Sequence, residues 1–172
     1  MWIGRLKLAL VALCCVALAF EVWHLRTSHL GQPQSPQAVP KHGPRFVLLP
    51  ATEIATYAAV SGGARAHVEN WEPTLGDIND LEANLSQITA LSNKEPDANR
   101  HIDDPSQYFR QYLAVAVNGK KTIFVNALCS VEPGDSWRKH VIVVMDGGKC
   151  YWKAVYDPAT QKFSDLVVNG RG

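Results

Sequence analysis

Residues 108–129, Tyr-Phe-Arg-Gln-Tyr-Leu-Ala-Val-Ala-Val-Asn-Gly-Lys-Lys-Thr-Ile-Phe-Val-Asn-Ala-Leu-Cys, carry the pattern that decides the fold. Two runs rich in aromatic and β-branched residues flank Asn118-Gly119. That dipeptide tolerates the positive backbone angles of a two-residue hairpin turn. Residues 108–117 and 122–129 therefore read as paired antiparallel strands. Beyond them, residues 140–145 lead into Asp146-Gly147-Gly148-Lys149, residues 150–156 return, Asp157-Pro158-Ala159-Thr160 turns again, and residues 162–168 end before Asn169-Gly170. The expectation is an antiparallel meander of about five strands. Val141-Ile142-Val143-Val144-Met145 is apolar at every position, which for a strand requires a cover on both faces.

Upstream, Thr74 precedes a stripe of Leu75, Ile78, Leu81, Leu85, Ile88 and Leu91, with Asp77 three residues after Thr74. The Thr/Asp pair is a helix-starting cap, and the spacing of three and four predicts one amphipathic helix with a single buried face. A shorter helix is expected from Pro50 to Val60, stopped by Gly62-Gly63. The fold class is thus α+β, an N-terminal helix packed on an antiparallel meander, by analogy cystatin-like or NTF2-like in architecture. Such an analogy carries no chemistry. The second cover of the doubly apolar strand is left to the shorter helix, a curled sheet, or a partner molecule, a second copy of the chain included.

The first residues, Met1-Trp2-Ile3-Gly4-Arg5-Leu6-Lys7, form a basic head before an uncharged apolar run at residues 8–20. That order is an export signature. Ala17-Leu18-Ala19 suits a signal peptidase, whereas Val22, Trp23 and Leu25 extend the run toward an interfacial anchor. Residues 1–30 are accordingly a signal peptide or a signal anchor. Lipid attachment at Cys14 is disfavoured by the bulky Leu13 before it. Residues 31–44 contain Pro33, Pro36, Pro40 and Pro44 among Gln, Ser and Gly, a linker that forms neither helix nor ladder. Residues 45–172 then make one extracytoplasmic (periplasmic) domain, anchored at the inner membrane or released after cleavage.

Seventeen Lys and Arg against sixteen Asp and Glu give a formal net charge of +1. With the two signs interspersed, no positive field exists to collect nucleic acid. Cys14 and Cys15 lie in the apolar run and read as small hydrophobes. Cys129 and Cys150 would be separated by the whole 140–145 strand, at about 3.3 Å per residue, beyond the roughly 7 Å limit for a bridge. Two free, buried thiols are expected.

Cys129 and His140 flank one connection, with Glu132 and Asp135 available to orient the imidazole. A thiolate activated in that way is a nucleophile. An apolar strand end is nonetheless the ordinary place of a core cysteine, and no catalytic residue is assigned. His67-Val68-Glu69 and His101-Ile102-Asp103-Asp104 lack a second converging set of ligands, so neither metal nor cofactor is assigned. Gly147-Gly148 opens no helix and so cradles no phosphate. The remaining candidates are for binding: Trp137 in the polar segment 132–139, read as an exposed aromatic beside Arg138 and near Asp135, with Asp146 in the following turn.

Tyr108-Phe109-Arg110-Gln111-Tyr112, Asn118-Gly119-Lys120-Lys121, and the Asp146-Gly147-Gly148, Tyr156-Asp157 and Asn169-Gly170 series resemble a loose group of small uncharacterised exported bacterial proteins. The resemblance spans residues 71–172. It implies export and the helix-then-meander order, and brings no catalytic residues. The expected function is a non-catalytic, exported or membrane-tethered binding domain, inhibitor-like or immunity-like, whose partner is an extracytoplasmic protein or small ligand. The alternatives are a Cys/His hydrolase and a structural accessory of the envelope.

Overall fold

Asn118 and Gly119 both take positive φ, 51° and 79°, and the hairpin forms where the dipeptide predicts it. In the computed structural model, which describes Gly43 and residues 45–56 and 68–170, β3 (Phe109–Val117) and β4 (Lys120–Leu128) pair from Phe109↔Leu128 to Val117↔Lys120. β5 (Tyr151–Asp157) pairs antiparallel with β4, and β6 (Lys162–Val168) with β5. On the outer edge of β3, β1 (Phe46–Leu48) runs parallel beside Arg110–Tyr112, and β2 (Val68–Asn70) antiparallel beside Val115–Val117. The fold is α+β with a six-stranded sheet. All described residues belong to one compact unit, Ala38–Gly172. The expected leader, nearly all of the linker, and residues 57–60 of the expected short helix lie outside the described residues. Among those described, no helix is long and apolar enough to cross a membrane.

The capping box at Thr74 is present. The Asp77 amide donates to Thr74 Oγ1 at 3.2 Å, and the Thr74 amide donates to Asp77 Oδ2 at 2.7 Å. The helix it starts is not continuous: α1 (Leu75–Ala83) and α2 (Ser86–Ser92) are separated at Asn84-Leu85. At the break the Asn84 side-chain amide and its backbone N–H share the Asp80 carbonyl, at 2.8 and 3.1 Å, and the Leu85 amide turns to the Glu82 carbonyl at 3.4 Å. Gln87, one turn on, donates to Asn84 Oδ1 and accepts the Phe163 amide, fastening α2 to β6. The apolar stripe survives the break. Ile78, Leu81, Leu85 and Ile88 are all buried against Tyr112, Ile123, Trp152 and Tyr156 on one face of the sheet, each such side chain stabilising by about 1.5–3 kcal/mol.

One charge is sealed into that interface. Arg110 is 4 % exposed and donates to both oxygens of Glu82 on α1, to the Tyr112 hydroxyl, and to the Ser106 and Tyr108 carbonyls. Tyr112 in turn donates to Glu82. Burial, followed by the Glu82 charge, pushes the Tyr112 hydroxyl well above its ordinary value against the opposing pull of Arg110. A buried cation is tolerated because its donors are met.

The expected strand at 140–145 does not form, and β4 pairs with β5 directly. Residues 130–149, here termed the strap, instead cross the second face of the sheet. Val141 and Ile142 pack there with Val47, Leu113, Val115, Phe124 and Trp137. In β3, Leu113 and Val115 face the strap, while Tyr112 on the alternate face packs against the helices. The thiol expectation falls with the absent strand. Without it, Cys129 and Cys150 sit side by side at the base of the strap, Cα atoms 4.8 Å apart, and form a disulfide; the Cys129 amide donates to the Cys150 carbonyl. At the strap's end Gly147 and Gly148 take φ of 89° and 59°, and a Cβ on Gly147 would meet the Tyr151 ring at 2.6 Å.

Closing a loop of this length restricts the unfolded chain by about 3 kcal/mol. The double variant Cys129→Ser/Cys150→Ser should lose stability of that order in urea titration and lose hydrogen-exchange protection first at the Val141 and Ile142 amides. A second effect is expected in acid. The Lys120 ammonium, bonded to Asp157 Oδ2 at 2.8 Å, together with the Ala159 and Thr160 amides holds the Asp157 carboxyl below its ordinary 3.8. A depressed carboxylate contributes fully above the unfolded value and loses its contribution as pH falls through the folded one. Asp157→Asn should therefore flatten the stability curve below about pH 4 and leave its slope near pH 7 unchanged.

Candidate functional site

The strap is held by side-chain amides standing where a strand would have supplied backbone. Gln111, buried on β3, donates through Nε2 to the Trp137 and His140 carbonyls at 2.5 and 2.7 Å. Its Oε1 accepts the Ile142 amide at 2.9 Å and Asn126 Nδ2 at 2.8 Å. Asn126 also donates to the Ile142 carbonyl at 2.8 Å. Further along, Asn169 Nδ2 donates to the Val144 and Asp146 carbonyls at 2.7 and 3.0 Å. Glu53, in the 3-10 turn Ala51–Glu53, accepts the Val141 amide at 2.8 Å and pairs with His140 Nδ1 at 3.2 Å.

This geometry relocates the candidates. Trp137 is buried at 5 % exposure, its ring edge-on to Phe109 at 5.4 Å and covered by the Arg138 guanidinium at 4.3 Å. The reading of Trp137 as an exposed hot spot is corrected: an aromatic in a polar segment is the plug that seats the segment on the sheet. Asp135 is exposed, and its carbonyl accepts the Arg138 amide. Arg138 is partly buried and contributes a wall to a cleft. Asp146 is exposed at the far end of the strap and lines neither cleft described below. The Cys129/His140 pair does not assemble, since Cys129 is bonded to Cys150 and the imidazole is oriented by Glu53 rather than Glu132 or Asp135. Among the described residues no group of three or more His, Cys, Asp or Glu is placed to hold a metal.

Two clefts flank the strap. One, of about 280 Å³, lies between it and the ends of β4 and β5, with Leu128, Glu132, Ser136, Ile142, Val144 and Tyr151 among its walls. The other, of about 330 Å³, opens at the outer edge of β3 between β1 and β2, against Val47, Leu49, Pro50, Trp71, Ala114 and Arg138. Of the residues that make these clefts, the sequence singled out Trp137, Arg138 and the segment 132–139; the walls from β1, β2, β4 and β5 were missed, as were Glu53, Gln111, Asn126 and Asn169. The readable signal was Gln111 and Asn126, single amides inside otherwise apolar strands, since a buried polar group demands a partner.

Comparison with known proteins finds no matching family model, no matching curated protein and no matching solved structure.

Truncating the plug should act on folding. Trp137→Ala is expected to cost about 3–5 kcal/mol, the range for a large aromatic removed from a core, read as a lowered urea midpoint.

Proposed function

We propose that residues 45–172 form a non-catalytic binding domain displayed outside the cytoplasm, tethered at the inner membrane or released after cleavage of residues 1–30. The Cys129–Cys150 disulfide is the observation that carries this reading. Such bonds persist in oxidising compartments and are rare in reducing ones, and this one closes a strap whose surroundings depend on it. The basic and apolar N-terminal pattern supports the same location, as does the resemblance to small exported bacterial proteins. In architecture, helices laid across a largely antiparallel sheet favour the cystatin-like or NTF2-like analogy.

The strap supports binding over catalysis. The two cysteines at its base are consumed in the bridge, its one histidine is paired with Glu53, and it walls two clefts with a segment held by buried amides and a covalent bond. Rigidity lowers the entropy lost on association, which favours recognition. The partner is an extracytoplasmic protein engaged through the outer rim of the strap, in the manner of an inhibitor or immunity protein. Val143 and Met145, 42 % and 83 % exposed, supply apolar contact there.

Crosslinking on intact cells, followed by capture of the full-length chain, tests this. The native chain should run with its bridge intact on non-reducing gels and hold one specific protein. Ser136→Arg, on an exposed wall of the smaller cleft, should abolish that capture without shifting the melting temperature. Recovery of the chain with reduced Cys129 and Cys150 would sink the assignment of location, and capture indifferent to Ser136→Arg would sink the assignment of surface.

A further inference from the structure

We propose that the cleft between β1 and β2 binds a small monocarboxylate with an apolar body, its carboxylate taken by Arg138; this rests on the binding-domain reading and gives one of its sites a ligand class. The cleft exists because of register. β1 covers Arg110–Tyr112 and β2 covers Val115–Val117, so Leu113 and Ala114 have no strand beside them on that edge among the described residues. Into this gap face Val47, Leu49, Pro50, Trp71 and Ala114, an apolar surface around about 330 Å³. The volume suits a molecule of about a dozen heavy atoms.

Arg138 is the single cation among the described residues lining it. Its guanidinium lies over Trp137, and its Nη1 is buried without a hydrogen-bond partner among the described residues. A buried unpaired donor is costly, and a charged one more so. Trp152 Nε1 is also buried and unpartnered among the described residues, but it lines neither of the two clefts described above, whereas Arg138 borders one of them. Turning the guanidinium from the Trp137 ring toward the cleft exchanges the unpaired donor for a charge-assisted bond to a carboxylate. The indole of Trp71 offers no competing donor, being bonded to the Val115 and Thr122 carbonyls at 2.9 and 3.1 Å.

The charge count sets the class. Exposed Glu72 lines the same cleft, so one guanidinium faces one carboxylate before any ligand enters. With those two charges already balanced, the second charge of a phosphate dianion would add desolvation cost without net attraction, and a neutral oxygen would accept from the guanidinium only through the weaker, uncharged kind of bond. A monoanion with an aliphatic or aromatic body satisfies both the cation and the apolar walls.

The test uses the full-length chain with 3-phenylpropionate and, as its neutral counterpart, 3-phenylpropanol, followed by calorimetry and by the Trp71 indole N–H resonance. The acid should bind roughly tenfold or more tightly than the alcohol and shift the Trp71 signal. Arg138→Met should weaken the acid to the level of the alcohol while leaving the alcohol unchanged. Glu72→Gln, at an exposed position that leaves folding intact, should tighten the acid several-fold. Equal binding of acid and alcohol, no binding of the acid, or no response to either substitution overturns the proposal. Protein capture that still depends on Ser136 alongside such a result leaves the binding-domain reading standing; loss of both removes both.

Discussion

The side-chain amide of Gln111 is the constraint on which the second half of the fold depends. Both of its N–H donors and both acceptor positions of its oxygen are used, toward the Trp137 and His140 carbonyls, the Ile142 amide and Asn126. An amide saturated in this way does the work of a ladder rung for a segment that never joins the sheet. It fixes where the strap lies, which carbonyls face inward, and therefore where Trp137 plugs the apolar surface and Arg138 meets the edge of β3. The disulfide limits how far the strap can depart; Gln111 and Asn126 decide where it rests.

The two faces of the sheet are stabilised on different terms. On the helix side the apolar stripe of α1 and α2 supplies area, and the single charge, Arg110, is matched by Glu82, Tyr112 and carbonyls of the preceding turn. On the strap side the apolar cluster is smaller and mixed with buried amides, so a larger share of the order comes from directional bonds and the covalent bridge. Directional bonds specify one arrangement sharply but fail together, because a half-satisfied buried network is worse than none. Local opening of the strap is therefore expected to be cooperative, with the sheet and helices intact beneath it.

This difference also explains what could be read from sequence. The Asn118-Gly119 turn, the Thr74/Asp77 cap and the period of Ile78, Leu81, Leu85 and Ile88 are local signals, each decided by residues within one turn of chain, and each appears as read. The break at Asn84 was hidden because an asparagine inside an apolar stripe is neutral until its amide finds the Asp80 carbonyl. Residues 141–145 were misread because β-branched apolar runs have the same composition in a strand and in a segment lying across one, and only non-local partners tell them apart. From that error followed the separation of Cys129 from Cys150; the exposure assigned to Trp137 came instead from the polar residues around it. The clefts were beyond reach for the same reason: their walls come from four parts of the chain joined only by register.

The absent strand also changes the surroundings of Arg138. Had residues 140–145 entered the sheet, β3 would still have had an open edge, but Arg138 would have ended in a solvated hairpin loop with its guanidinium freely hydrated. Laid across the sheet and stacked on Trp137, the same residue loses water on one side without gaining an acceptor. Folding thus stabilises the strap through its backbone while leaving one of its charged side chains incompletely satisfied beside an apolar gap. Such a local shortfall, within a frame whose other strap-holding amides are met, is where a ligand contributes most for the fewest contacts.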